Sequence, residues 1–196
     1  MIKLKDILFE STTPDIFIPR RMEDRLERLI KGYIRRGSKG DLNLSELGLT
    51  ELPEILNDIS VDGDFMCGYN KLTSLKNSPK HVNGSFYCYG NKLTSLKGAP
   101  KTVGYNFYCY GNKLTSLKGA PKTVGYNFNC HSNNLTSLEG APEYVGGNFY
   151  CNGNKLESLE GAPKIVDGDF NCINNPYIFS KRLVRAVSKV KGKIIV

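Results

Sequence analysis

Six cysteines stand at positions 67, 88, 109, 130, 151 and 172, each 21 residues after the one before. Phe65, Phe86, Phe107, Phe128, Phe149 and Phe170 keep the same step, as do Asn70, Asn91, Asn112, Asn133, Asn154 and Asn175. Leucines from Leu72 to Leu156, a second set from Leu75 to Leu159, and prolines from Pro79 to Pro163 follow it too. A period in this range is the mark of a solenoid, in which each repeat buries its apolar face only by stacking on its neighbours. Such folds present extended surfaces more often than enclosed pockets.

One repeat, Asn83 to Val103, shows how a coil is built. Phe86-Tyr87-Cys88 alternates inward, outward, inward, the signature of a strand with one buried face. Asn91 then leaves the strand, and a buried amide there satisfies backbone groups that no strand ladder reaches. Leu93 and Leu96 return to the core. Gly98-Ala99-Pro100 stops any helix, so the far side of the coil is expected to be extended or a short 3₁₀ turn. Gly104 and Gly125 mark tight re-entry into the next strand. On the pattern L-x-x-L-x-L-x-x-N-x-L, Phe86 and Cys88 fill apolar slots, Asn91 the asparagine slot and Leu93 the last leucine.

At these positions the chain resembles the leucine-rich repeat family, in particular the short proline-containing repeats of bacterial and bacteriophage proteins. The resemblance covers roughly residues 41–175, with Phe and Cys replacing the usual leucines. It implies an α/β-type solenoid with a parallel concave sheet and a ladder of stacked asparagines. Leu42, Leu44, Leu47, Leu49, Leu52 and Pro53 form an earlier, divergent repeat in which Leu47 replaces the asparagine. Leu42 precedes Phe65 by 23 residues, which places a two-residue insertion in Asn57–Ser60. The concave sheet is therefore expected to have about seven strands and to span about 30 Å at about 4.8 Å per strand.

Both ends of a solenoid need covering. Residues 20–36 read as an amphipathic helix with Met22, Leu26, Leu29, Ile30, Tyr33 and Ile34 on one face and arginines on the remainder. From Pro176, the residues Ile178, Phe179, Leu183, Val184 and Val187 suggest a short basic helix. The expected organisation is an N-terminal segment with a capping helix over 1–40, the solenoid over 41–175 and a basic cap over 176–196.

The cysteines are not expected to pair. Each occupies the same inward slot, so neighbouring thiols point the same way, whereas a disulfide needs its sulfurs turned toward each other. No close Cys-x-x-Cys pair suggests zinc, and no cofactor is expected. The N-terminus lacks a secretory apolar stretch, and no run is long enough to span a membrane; the expected compartment is the cytoplasm, or a virion for a phage protein.

The net charge of +8 is unevenly spread. Residues 63–125 carry nine lysines against Asp64 alone, residues 126–175 carry two lysines against six acids, and the tail from Pro176 adds six basic residues. Lys76, Lys80, Lys97, Lys101, Lys118 and Lys122 fall in the turns, where they serve solubility or an anionic partner.

The outward strand slots form columns. One holds Met66, Tyr87, Tyr108, Asn129, Tyr150 and Asn171, the next Gly68, Tyr89, Tyr110, His131, Asn152 and Ile173. Lys71, Lys92, Lys113 and Lys155 run alongside. Tyrosine gives stiff, amphipathic contact area, so the candidate partner-binding residues are Tyr87, Tyr89, Tyr108, Tyr110, His131 and Tyr150 with these four lysines. No Ser, Cys, His or carboxylate constellation converges for catalysis. Ubiquitin-ligase effectors with such repeats need a large domain after them, where only 21 residues follow Asn175. A non-enzymatic scaffold for a protein partner is the leading expectation; for a phage protein, that partner would be a host factor or a virion component. Nucleic acid bound by the same face, and a homo-oligomeric assembly protein, are the rivals.

Overall fold

The computed structural model describes residues 20–196, with side chains from Asp24 onward. The start of the chain and the side chain of Met22 lie outside the described residues. Helix α1 (Arg20–Arg35) is followed by strands of two residues each, two per coil. The main sheet contains β1 (Leu42–Asn43), β3 (Phe65–Met66), β5 (Phe86–Tyr87), β7 (Phe107–Tyr108), β9 (Phe128–Asn129), β11 (Phe149–Tyr150), β13 (Phe170–Asn171) and β15 (Ile194–Ile195). All neighbours are parallel, and Leu42 pairs with Phe65 and Phe65 with Phe86, so the 21-residue period is the register itself.

The first seven of these strands are those expected from the Leu and Phe positions; β15 is an addition. Residues 176–196 are more than a helical cap. They form α2 (Lys181–Val187) and a further coil, whose Ile194 takes the slot of Phe170.

The far side is extended, as expected, and its segments pair. It forms a second parallel sheet, made of β2 (Ser60–Val61), β4 (His81–Val82), β6 (Thr102–Val103), β8 (Thr123–Val124), β10 (Tyr144–Val145), β12 (Ile165–Val166) and β14 (Lys189–Val190). Its valines point inward and are buried throughout β2 to β12. A 3₁₀ turn, Glu54–Asp58, fills the longer first coil.

Between the sheets runs a spine of phenylalanines, consecutive rings 5.1 to 5.7 Å apart from Phe65 to Phe170. Beside it lie the six free, buried cysteines. Burial raises every one of these thiols above its ordinary pKa, to about 11 at Cys172.

Two polar ladders tie coil to coil. In the first, the Asn91 amide donates to the carbonyls of Cys67 and Cys88 at 3.0 and 3.1 Å, and its oxygen accepts the Leu72 N–H at 3.0 Å. The same pattern recurs from Asn70 to Asn175. The second ladder occupies the corner before each main-sheet strand. There Asp41, Asp64, Ser85, Asn106, Asn127, Asn148 and Asp169 each accept the backbone N–H of the equivalent residue one coil later.

Those corners come in two forms. Gly63, Gly84 and Gly168 stand directly before the ladder residue, and a Cβ on Gly84 would lie 2.5 Å from the carbonyl of Gly63. In two coils the glycine moves back one place, to Gly104 and Gly125, and Tyr105 and Tyr126 follow it. A Cβ on either glycine would approach the preceding coil's carbonyl oxygen to 1.9 or 1.8 Å. The first change of form is direct, Asn83-Gly84 followed by Gly104-Tyr105; at the second, Gly146-Gly147 carries both forms.

Helix α1 closes the first coil, burying Ile30 and Tyr33. One defect stands out in the core. Ser78 fills the slot held by Ala99, Ala120, Ala141 and Ala162, and its Oγ is buried with no hydrogen-bond partner. Ser78→Ala is expected to stabilise the protein by about 1 kcal/mol by removing an orphaned hydroxyl. Urea unfolding checks this; an unchanged or lower midpoint contradicts it.

Candidate binding face

The outward slots of the main sheet form the surface of interest. Inward Phe and Cys are buried, so Tyr87, Tyr89, Tyr108, Tyr110, His131 and Tyr150 project from the other side and remain half-buried. In-register stacking brings equivalent rings together. Tyr89 and Tyr110 lie face to face at 4.8 Å, and Tyr110 and His131 at 4.6 Å. Tyr87 meets Tyr108 edge-on at 5.4 Å, and the two columns touch through Tyr87–Tyr89 and Tyr108–Tyr110 at 6.2 Å. Five of the expected site residues are thus one continuous aromatic surface. Tyr150 stands apart, its hydroxyl accepting from the Asn148 amide at 2.8 Å.

Three tyrosines escaped the sequence reading. Tyr69 packs edge-on against Tyr89 at 5.0 Å. The second repeat reads Gly68-Tyr69 where the next reads Tyr89-Gly90, an inversion that hides Tyr69 from a column count. Gly68 makes room for the Tyr89 ring, which a Cβ would approach to 2.9 Å. Tyr69 itself sits at φ +51°, in a slot held by glycine at 90, 111 and 153, and is 58% exposed. A bulky residue held in the left-handed region is strained, and such strain concentrates at working surfaces. The other two, Tyr105 and Tyr126, are exposed at the corner of the main sheet. Their signal was their place three residues before the sheet-facing slot.

Lys71, Lys92, Lys113 and Lys155 are exposed beyond the asparagine ladder, one position past each ladder amide. In the turn columns, opposite charges one coil apart pair: Lys118 with Glu139 at 3.0 Å, and Glu143 with Lys122 at 3.5 Å and Lys164 at 2.8 Å. The hydrogen bond and charge of Lys164, then the charge of Lys122, hold the Glu143 carboxyl below its usual range. Lys76, Lys80, Lys97 and Lys101 make no ion pair among the described residues.

Burial favours the neutral forms of Tyr89, Tyr110 and His131. Burial, then neighbouring tyrosines, raise the hydroxyls of Tyr89 and Tyr110, which remain donors. Burial lowers the His131 pKa below 6.5. The imidazole is therefore expected to titrate below 6.5 by NMR and to move up in Tyr110→Ala, which strips one face of cover. The neutral ring's contribution to stability is complete above the unfolded pKa and is lost as pH falls through the folded value.

The spacing also limits what the rings can hold. A flat base inserted between two rings needs about 7 Å between them, twice a carbon–carbon contact distance. The stacked rings stand at 4.8 and 4.6 Å, and strand pairing fixes the coils about 4.8 Å apart. Their inner faces are occupied by one another, leaving edges and hydroxyls outward.

No protein-family model matches the chain, and no curated protein matches it in sequence. Among solved structures it is similar to the leucine-rich repeat domain of a Shigella effector, at 18% identity and a TM-score of 0.56, over 87% of this chain and 88% of that one. It is similar also to YopM from Yersinia enterocolitica WA-314, at 20% identity and a TM-score of 0.55; there 85% of this chain matches 40% of YopM. With the register of both sheets and the asparagine ladder, these likenesses make the fold that of a short-repeat leucine-rich repeat solenoid.

Proposed function

We propose that this chain is a non-enzymatic scaffold that binds a protein partner on the outward face of its main sheet. The observation carrying this reading is the contiguous set Tyr69, Tyr87, Tyr89, Tyr108, Tyr110 and His131, fixed by a rigid register and left half-open to solvent. Rings already ordered by stacking lose little freedom on binding, and tyrosine edges and hydroxyls suit a polypeptide's mixed surface. The same stacking counts against a single-stranded nucleic acid, which needs free ring faces for its bases. Lys71, Lys92 and Lys113 extend the face toward acidic groups of the partner. The bacterial likenesses support a partner of bacterial or host origin, as would suit a phage or bacterial protein.

The test is retention of a protein from bacterial lysate by wild type beside a Tyr87→Ala/Tyr108→Ala/Tyr110→Ala variant, each with and without nuclease. A protein held by wild type, lost from the variant and indifferent to nuclease is the expected result. Material released by nuclease would favour the nucleic-acid reading, and equal retention by both baits would move the site off this face.

A further inference from the structure

The two ends of the solenoid are finished differently. At the first coil, α1 packs over β1. At the other, β15 is the outermost strand of the main sheet, and α2 packs against β14 and β15. The inner side of β15 is bonded: Phe170 donates to the Lys193 carbonyl at 2.9 Å and Cys172 to that of Ile195 at 3.0 Å. Ile194 and Val196 occupy the slots of Phe170 and Cys172. In each earlier coil, the residues of those slots donate to the following coil, as Phe149 does to Asp169. The N–H groups of Ile194 and Val196 therefore face the open edge.

Beside that edge runs an open groove of about 440 Å³, walled by Lys181 and Arg185 of α2 and floored by Gly192 to Val196. The segment from Pro176 carries Lys181, Arg182, Arg185, Lys189, Lys191 and Lys193 and no acid. Lys191 is paired with Asp167 at 2.8 Å, whereas Lys181, Arg185 and Lys193 make no ion pair among the described residues. An open strand edge beside a helix is the arrangement into which extended peptides add as strands, main-chain bonds giving affinity and side chains selectivity.

We propose that this groove receives an extended, acidic segment of a partner protein, which pairs with β15 as a ninth strand of the main sheet and meets Lys181 and Arg185. The charge decides the occupant. Two copies of this chain joined edge to edge would set two all-basic segments against each other, whereas an acidic strand is complementary. The site is separate from the tyrosine face, so either proposal can fail alone.

The probe is a fluorescein-labelled hexapeptide of alternating Glu and Val, read by anisotropy against the full chain. Its comparators are a Lys/Val peptide and a Glu/Val peptide N-methylated at alternate amides, which keeps the charge but cannot form the ladder. The expected result is binding of the plain acidic peptide alone, with slowed amide exchange at Ile194. Lys181→Glu/Arg185→Glu should weaken it at least tenfold, and Val196→Pro, which removes an outward N–H without touching the bonds to β13, should do likewise. Unchanged urea midpoints would show both variants folded. Three results overturn the proposal: no binding of the acidic peptide, equal binding of its N-methylated form, or a concentration-dependent dimer that Val196→Pro abolishes. The last would assign the edge to a second copy.

Discussion

Asn133→Ala is expected to cost about 3 kcal/mol or more and to lower the urea midpoint more than any surface substitution. The Asn133 amide donates to the carbonyls of Cys109, Cys130 and His131, and its oxygen accepts the N–H of Leu114. Alanine would orphan the buried Leu114 N–H, at about 1–3 kcal/mol, and would also remove three favourable bonds to carbonyls that keep other donors in Asn112, Asn154 and the Gly111 N–H. Asn133 is buried in the middle of the array. Asn175, at the end of the ladder and partly exposed, should tolerate the same change better. Equal, small losses at both sites would mean that packing of Phe and Leu holds the coils and the ladder merely follows.

The second large effect concerns the thiols. In the folded protein, a disulfide-exchange reagent at pH 8 should label almost none of the six cysteines; in denaturant it should label all six. Burial raises each thiol and shrinks the reactive thiolate fraction, and it also denies the reagent access. Cys172 should react first. Its pKa rises only to about 11 from 9.0, a loss of thiolate of about a hundredfold, and it lies beside the last coil. Rapid labelling of an inner residue such as Cys109 would show that the array opens from within.

The main sheet could be read from sequence because its strands alternate around Phe and Cys, and because one register repeats without drift. Its neighbour could not. Thr102-Val103 or His81-Val82 is too short to show a period of two, and only the 21-residue step of the valines hints at it. The corner ladder was hidden by its mixed alphabet of Asp, Ser and Asn, which share an acceptor but not a name. Ile194 escaped because α2 lengthens the last step to 24 residues. As for the binding face, stacking of Tyr89, Tyr110 and His131 follows directly from their shared slot. Tyr69 required knowing that Gly68 and Tyr69 exchange places.

The corner glycines carry a consequence for how such an array can lengthen or shorten. The coils that open with Gly104-Tyr105 and Gly125-Tyr126 have matching joints, and 13 of the 18 residues from each glycine to the next proline agree. Recombination that slips by one whole coil there deletes or duplicates a unit without creating an unfamiliar junction. Removing the coil that opens with Gly146-Gly147 is different. It would bring Asp167-Gly168 directly onto Gly125-Tyr126, and the only corner glycine pair that fits both forms would be gone. The array is thus elastic in its tyrosine-bearing middle, where its aromatic surface could be widened or narrowed by whole rows, and constrained at the Gly146-Gly147 joint that follows it.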